Sequence, residues 1–223
     1  MKKIVIIVAP HPDDETLGCG GTILRHREAG DDIHWLVVTA MTPEQGFSQE
    51  KIAAREAEIA AVARRYGFAS VQLLGLPTTR LDTLPASDLI SKIAGVIQGV
   101  APEVVYLPFS GDAHSDHSIV SKAVLSCTKW FRKTSIKRIL AYETLSETEF
   151  GISPDALGFR PNVFVDIHHY LDEKIDILKI FASELGEFPF PRSIETVRAL
   201  ARLRGSSAGC SAAEAFMLLK EIV

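Results

Sequence analysis

The sequence predicts an α/β protein in which helices cover both faces of a mostly parallel sheet. Three observations carry that expectation. Short β-branched apolar runs without alternation suit strands buried on two sides. Stretches of helical length and helical composition lie between them. The two kinds alternate through most of the chain, as right-handed βαβ units require.

Residues 3–9 are the first such run, and 16–29 reads as a helix ended by Gly30. Residues 33–39 (IHWLVVT) form a second strand, followed by a loop over 40–48 with Pro43 and Gly46. Residues 49–66, rich in Ala, Glu and Arg, are a strong helix stopped by Gly67. A third strand over 71–74, a loop over 77–85 and an amphipathic helix over 87–100 follow. Pro102 and Pro108 bracket a fourth strand at 104–107, before a helix over 117–132. Strands at 138–142 and 162–167 precede a helix over 170–185, with Ile, Leu and Phe at three-to-four spacing. The tail holds a helix over 194–203, a Gly/Ser turn and an apolar end that fits either strand or helix. A length of 223 residues suits one domain spanning 1–223.

Hydrophobic residues make up 47% and charged residues 23%, the balance of a soluble globular chain. A formal charge of -4 argues against a nucleic-acid-binding face. Cys19, Cys127 and Cys210 are odd in number and lack CxxC spacing, which predicts buried free thiols in a reducing, cytoplasmic setting. In MKKIVIIVAPHPDDE the apolar run stops at Pro10 and acids follow, so it reads as a strand rather than a signal peptide. No stretch approaches the roughly 20 apolar residues of a membrane span.

Ligands of such sheets sit at the carboxyl ends of the strands. Two clusters fall there. The first is Ala9-Pro10-His11-Pro12-Asp13-Asp14-Glu15, after strand one. Its acids serve no core, and they repel one another unless a cation or buried partners compensate. They can equally form an acidic turn capping the next helix. The second is Asp112-Ala113-His114-Ser115-Asp116-His117, after strand four. Jointly the clusters offer the imidazoles and carboxylates that catalytic zinc uses, with no thiolate for a closed structural site. Two neutral imidazoles and one carboxylate leave Zn²⁺ a net charge of about +1, which favours ionising a bound water. Gly18, Gly20 and Gly21 permit close packing beside this crowded turn. Their order is not GxGxxG, which counts against a nucleotide-binding module.

APHPDDETLGCGG followed by DAHSDH resembles the LmbE-like, or PIG-L, deacetylases, with their HPDDE and HxxH motifs. Resemblance continues through Arg55, Tyr142-Glu143 and the terminal ARLRGSSAGCSAAEAF, nearly the whole chain. It implies a Rossmann-like three-layer sandwich and a Zn²⁺ enzyme, with Fe²⁺ an alternative ion. The implied metal ligands are His11, Asp14 and His117. Asp13 is the implied base for the zinc-bound water. His114 is implied to stabilise the oxyanion and protonate the amine, with Asp116 holding it as imidazolium. Arg55 is the implied substrate contact, set against pairing with Glu58.

The implied reaction removes an N-acetyl group from an amino-sugar derivative of N-acetylglucosamine type, nucleotide- or lipid-linked forms included. An amidase acting on a thiol conjugate or a longer acyl group would use the same residues. A homo-oligomer is compatible with either. Asp112 reads as a partner of a ligand or a helix cap, Glu15 as a structural carboxylate, and Glu143 as a site residue or a partner of Arg204. Adjacent His168 and His169 are expected to point apart. The 39–47 loop departs from the family's Thr-x-Gly pattern, and Phe47, Phe188 and Phe190 offer either sugar-facing walls or core packing.

Overall fold

A computed structural model describes residues 2–132, 135–152 and 158–223. The apolar runs become β1 (Ile4–Ala9), β2 (Asp32–Ala40), β3 (Ser70–Pro77), β4 (Val104–Pro108), β5 (Arg138–Tyr142) and β6 (Val163–Asp166). A last strand, β7 (Ala213–Glu221), resolves the ambiguous end of the chain. The seven strands form one sheet in the order β3-β2-β1-β4-β5-β7-β6. β1 to β5 run parallel, while β7 pairs antiparallel with both β5 and β6. The chain starts at β1, works outward to β3, then returns to β4 on the other side of β1. Loops after β1 and β4 therefore part in opposite directions and leave a crevice between them. That crevice is where both motifs fall.

Six helices flank the sheet: α1 (Asp14–Glu28), α2 (Gln49–Tyr66), α3 (Ala86–Val100), α4 (Ser115–Cys127), α5 (Leu171–Leu178) and α6 (Ile194–Ala208). Strand alternation sorts the core into two halves. Val5, Ile7 and Ala9 pack with α1 and α2 through Cys19, Ile23, Val62 and Tyr66. Ile6 and Val8 pack with α3 and α4 through Leu89, Ile93, Val120 and Val124. A third cluster joins Leu17, Ile175 and Leu178 to Val197 and Ala201 of α6. The result is the helix–sheet–helix sandwich that the sequence predicts. Among the described residues, no helix is long and apolar enough to cross a membrane.

Three helix ends differ most from expectation. The helix over 117–132 begins at Ser115 and ends at Cys127, before a 3-10 turn at Trp130–Arg132. The helix over 170–185 stops at Leu178, and a 3-10 turn follows at Ala182–Glu184. Such turns keep an i to i+3 spacing, so the apolar period runs on past the true helix end. The last helix continues through the expected Gly/Ser turn to Ala208 and closes at Gly209, φ 75°. Gly205 lies inside it because a Cβ there would meet the Cys210 carbonyl oxygen at 2.6 Å.

The glycines of α1 are likewise close-approach residues. A Cβ on Gly18 would stand 2.3 Å from Tyr142 Cδ2, and one on Gly21 2.6 Å from Ile167 Cγ2. Tyr142 is fully buried and its hydroxyl donates to the Val8 carbonyl, so it has little room to yield. Gly18→Ala is expected to cost about 1–3 kcal/mol by overpacking, read as a lowered midpoint in urea unfolding. An unchanged midpoint would show that Tyr142 moves freely.

Candidate active site

α1 begins at Asp14, immediately after the turn that leaves β1. The Asp14 carboxylate is fully buried, and its Oδ2 accepts the backbone N–H of His11 at 2.8 Å. The same oxygen lies 3.2 Å from His11 Nδ1 and 3.3 Å from His117 Nε2. His117 comes from the first turn of α4, across the crevice. Ligand-capable atoms of His11, Asp14 and His117 thus lie within 4.8 Å of one another.

Two atoms of this group are orphans. Asp14 Oδ1 and His117 Nε2 are buried and have no hydrogen-bond partner. Orphaned buried polar atoms are costly, and a cation satisfies both at once. Burial disfavours charge on the two imidazoles, yet nearby carboxylates outweigh it. Asp116 and Asp14 raise His11 to about 9, and Asp14 and Asp112 raise His117 to about 10. The cluster attracts positive charge, and the donor set of two imidazoles and a carboxylate fits a zinc-type ion.

The outer nitrogens are engaged as metal-binding histidines require. His117 Nδ1 donates to Asp112 Oδ2 at 2.8 Å, and Asp112 Oδ1 accepts from the Thr148 hydroxyl at 2.6 Å. Asp112 is therefore the orienting partner of His117. His11 Nε2 donates to Asp116 Oδ2 at 3.2 Å. Each ring thereby turns its remaining nitrogen toward Asp14. Asp112→Asn is expected to weaken zinc binding about 10–100-fold, measured by competition with a chromophoric chelator. Unaltered affinity would remove Asp112 from this role.

The Asp116 carboxylate sits differently from the expectation that it orients His114. It holds His11 and accepts backbone N–H groups from Thr79 at 2.7 Å and Leu81 at 3.3 Å. The contact between Asp116 and His114 runs through the backbone: Asp116 N–H donates to His114 Nδ1 at 3.1 Å. His114 is the cap of α4, and capping its helix takes up the nitrogen that Asp116 was expected to hold. Burial and the neighbouring His11 push His114 down to about 4, while the Asp116 charge pulls it up. Its neutral tautomer carries the proton on Nε2. The His114 and His11 ring centroids are 4.5 Å apart.

Asp13 is buried and its backbone is strained, with φ 133°. Asp13 lines the cleft, and Asp14 does not. Burial and the Asp14 charge raise Asp13 to about 7. Glu15 holds the strained residue: its carboxylate accepts the Asp13 N–H at 3.0 Å and the Thr16 hydroxyl at 2.6 Å. Arg192 donates to Asp13 Oδ2 at 2.7 Å. The sequence reading missed Arg192, since a lone arginine after Pro191 looks like any solvated loop charge.

Arg55 lines the cleft, donates to the Pro12 carbonyl at 3.0 Å and pairs with Glu58 at 3.1 Å, the alternative that the sequence left open. Glu143 pairs with Arg204 through both carboxylate oxygens. Met41, Ile52, Ile59 and Leu73 form the apolar wall. Phe188 and Phe190 are exposed and, with Phe47, stand outside that lining. His168 and His169 do not point apart; they follow β6 in a turn and their ring centroids are 3.6 Å apart.

Fold and cleft together define a Rossmann-like α/β protein with a His–Asp–His cluster that could hold a metal ion at the switch point of its sheet. The chain belongs to the PIG-L family, described as GlcNAc-PI de-N-acetylase, whose model matches residues 6–128 and so spans both motif loops. It is 25% identical over 228 residues to a diacetylchitobiose deacetylase of Thermococcus kodakarensis, covering 95% of this chain and 81% of that one. It is 24% identical over 193 residues to a probable N-acetyl-alpha-D-glucosaminyl L-malate deacetylase 2 of Bacillus anthracis, covering 83% of each. The conserved protein TT1542 from Thermus thermophilus superposes with a TM-score of 0.77 at 27% identity, over 99% of this chain and 96% of that one.

Proposed function

We propose that this chain is a zinc-dependent hydrolase that removes the N-acetyl group from an amino-sugar derivative of N-acetylglucosamine type. The observation that carries the reading is the pair of orphaned buried atoms, Asp14 Oδ1 and His117 Nε2, on two residues that meet beside His11. His11, Asp14 and His117 would hold the ion. When bound, it lowers the pKa of a water and polarises the acetamide carbonyl.

The remaining work falls to side chains. Asp13 takes a proton from the attacking water, and its placement by Glu15 and Arg192 fixes where it can do so. The same carboxyl then returns that proton to the departing nitrogen, so that water and amide become acetate and amine. His114 offers its Nε2–H to the carbonyl oxygen as negative charge gathers there. Because Nδ1 is tied to a backbone N–H, the ring has one orientation for this. Arg55 and the apolar wall position the sugar.

Acetate release from N-acetyl sugars by metal-loaded and metal-stripped protein tests the reading. Full activity after stripping would end it. Release of longer acids only, with no acetate from any N-acetyl sugar, would point to another acyl group on the same machinery.

A further inference from the structure

We propose that Glu184 makes this cleft selective for uncharged amino-sugar derivatives and against those whose aglycone bears a negative charge. The inference rests on the deacetylase reading and names the substrate class of the same site.

Two arginines reach the cleft, Arg55 from α2 and Arg192 from the loop before α6. Unpartnered, two such guanidinium forks would clamp a phosphate or carboxylate. Glu184 already stands between them. Its Oε1 accepts from Arg55 Nη2, and its Oε2 lies 3.4 Å from Arg192 Nη1.

Among the described residues every guanidinium nitrogen of both has a partner, and only one N–H of Arg55 Nη1 and one of Arg192 Nη2 stay free. Arg55 Nε faces Glu58 at 3.1 Å, its Nη1 donates to the Pro12 carbonyl, and its Nη2 also reaches the Ser183 hydroxyl. Arg192 Nε donates to the Ser146 hydroxyl at 2.7 Å, its Nη1 to Asp13, and its Nη2 to Glu147 at 3.3 Å. Against these two cations stand four carboxylates, Asp13, Glu58, Glu147 and Glu184. At the arginine end of the cleft an incoming anion meets an excess of its own sign and no free fork. An uncharged ring meets the apolar side chains of Met41, Ile52 and Ile59. The arginine side chains are only 9% and 13% exposed, so solvent screens this contest weakly.

The test uses one skeleton with and without charge: the N-acetylglucosaminyl malate conjugate and its dimethyl ester. Turnover by metal-loaded protein is compared with binding by calorimetry, for the wild type and Glu184→Gln. The wild type is expected to favour the ester by about tenfold or more in kcat/KM, as one like-charge contact warrants. Glu184→Gln is expected to narrow the preference to within about threefold, through a lower KM for the malate conjugate. A wild type that prefers the malate conjugate overturns the proposal, and so does a preference that Glu184→Gln leaves intact. Should that variant not fold, ionic strength decides. Added salt must narrow the wild-type preference, and a salt-independent ratio overturns the proposal. If neither compound is hydrolysed while the ester still binds more tightly, the deacetylase reading falls and the charge selection stands.

Discussion

Asp14→Ala is expected to abolish metal retention and, with it, acetate release. One carboxylate oxygen accepts the His11 N–H at 2.8 Å and lies 3.2 Å from His11 Nδ1 and 3.3 Å from His117 Nε2. Its removal deletes a ligand, loosens a second and takes away the charge that draws a cation inward. The loss of affinity should therefore exceed the roughly 10–100-fold that outer partners of a ligand contribute. Elemental analysis after dialysis, with a thermal melt to establish folding, measures it. A folded Asp14→Ala protein that keeps one zinc per chain would place the ion elsewhere.

Asp13→Asn is expected to do the opposite: keep the metal and lose the rate. General-base catalysis contributes about 10²–10⁴-fold, and asparagine retains the size of aspartate and one acceptor oxygen without accepting a proton. The fall should appear in kcat, with KM little changed, because the group acts on the attacking water rather than on the sugar. Arg192 stays largely buried beside the substituted amide, so Asp13→Asn also removes its nearest negative partner. A melt comparison separates that structural cost from the catalytic one. A kcat within tenfold of wild type, in protein with full metal content, would exclude Asp13 as the base.

The sequence made some features plain for physical reasons. Helix α2 runs from 49 to 66 as expected, because Ser48 caps it through Lys51 N–H and Gly67 ends it at φ 71°. Both signals are local. The His–Asp–His cluster was legible because its residues follow two strands and have no use in a core. β7 was not, since its pairing partners in β5 and β6 lie far away in the chain. Arg192, Glu184 and Glu147 were invisible as site residues because each is a single charge in a loop or turn. Only folding shows that their charges converge on Asp13 and Arg55. The Asp116 carboxylate was assigned to its sequence neighbour His114, whereas the fold offers it His11 from across the crevice.

One contact outside the cleft lining ties the helix that carries Asp14 to the last strand of the chain. Lys174 Nζ donates to the Leu17 carbonyl at 2.8 Å, and Glu214 accepts the Gly21 N–H at 2.8 Å. Both backbone groups lie within helix α1, which runs continuously from Asp14 to Glu28. The two side chains also bind one another at 2.7 Å, and both are buried. Helix α1, which carries Asp14, is thus spliced to α5 and β7 by an ionic rivet through its middle. Every proposed zinc ligand has been synthesised by residue 117, yet the rivet waits for residue 214. On a ribosome the nascent chain would hold all three ligands for nearly a hundred residues before the part that steadies them has emerged.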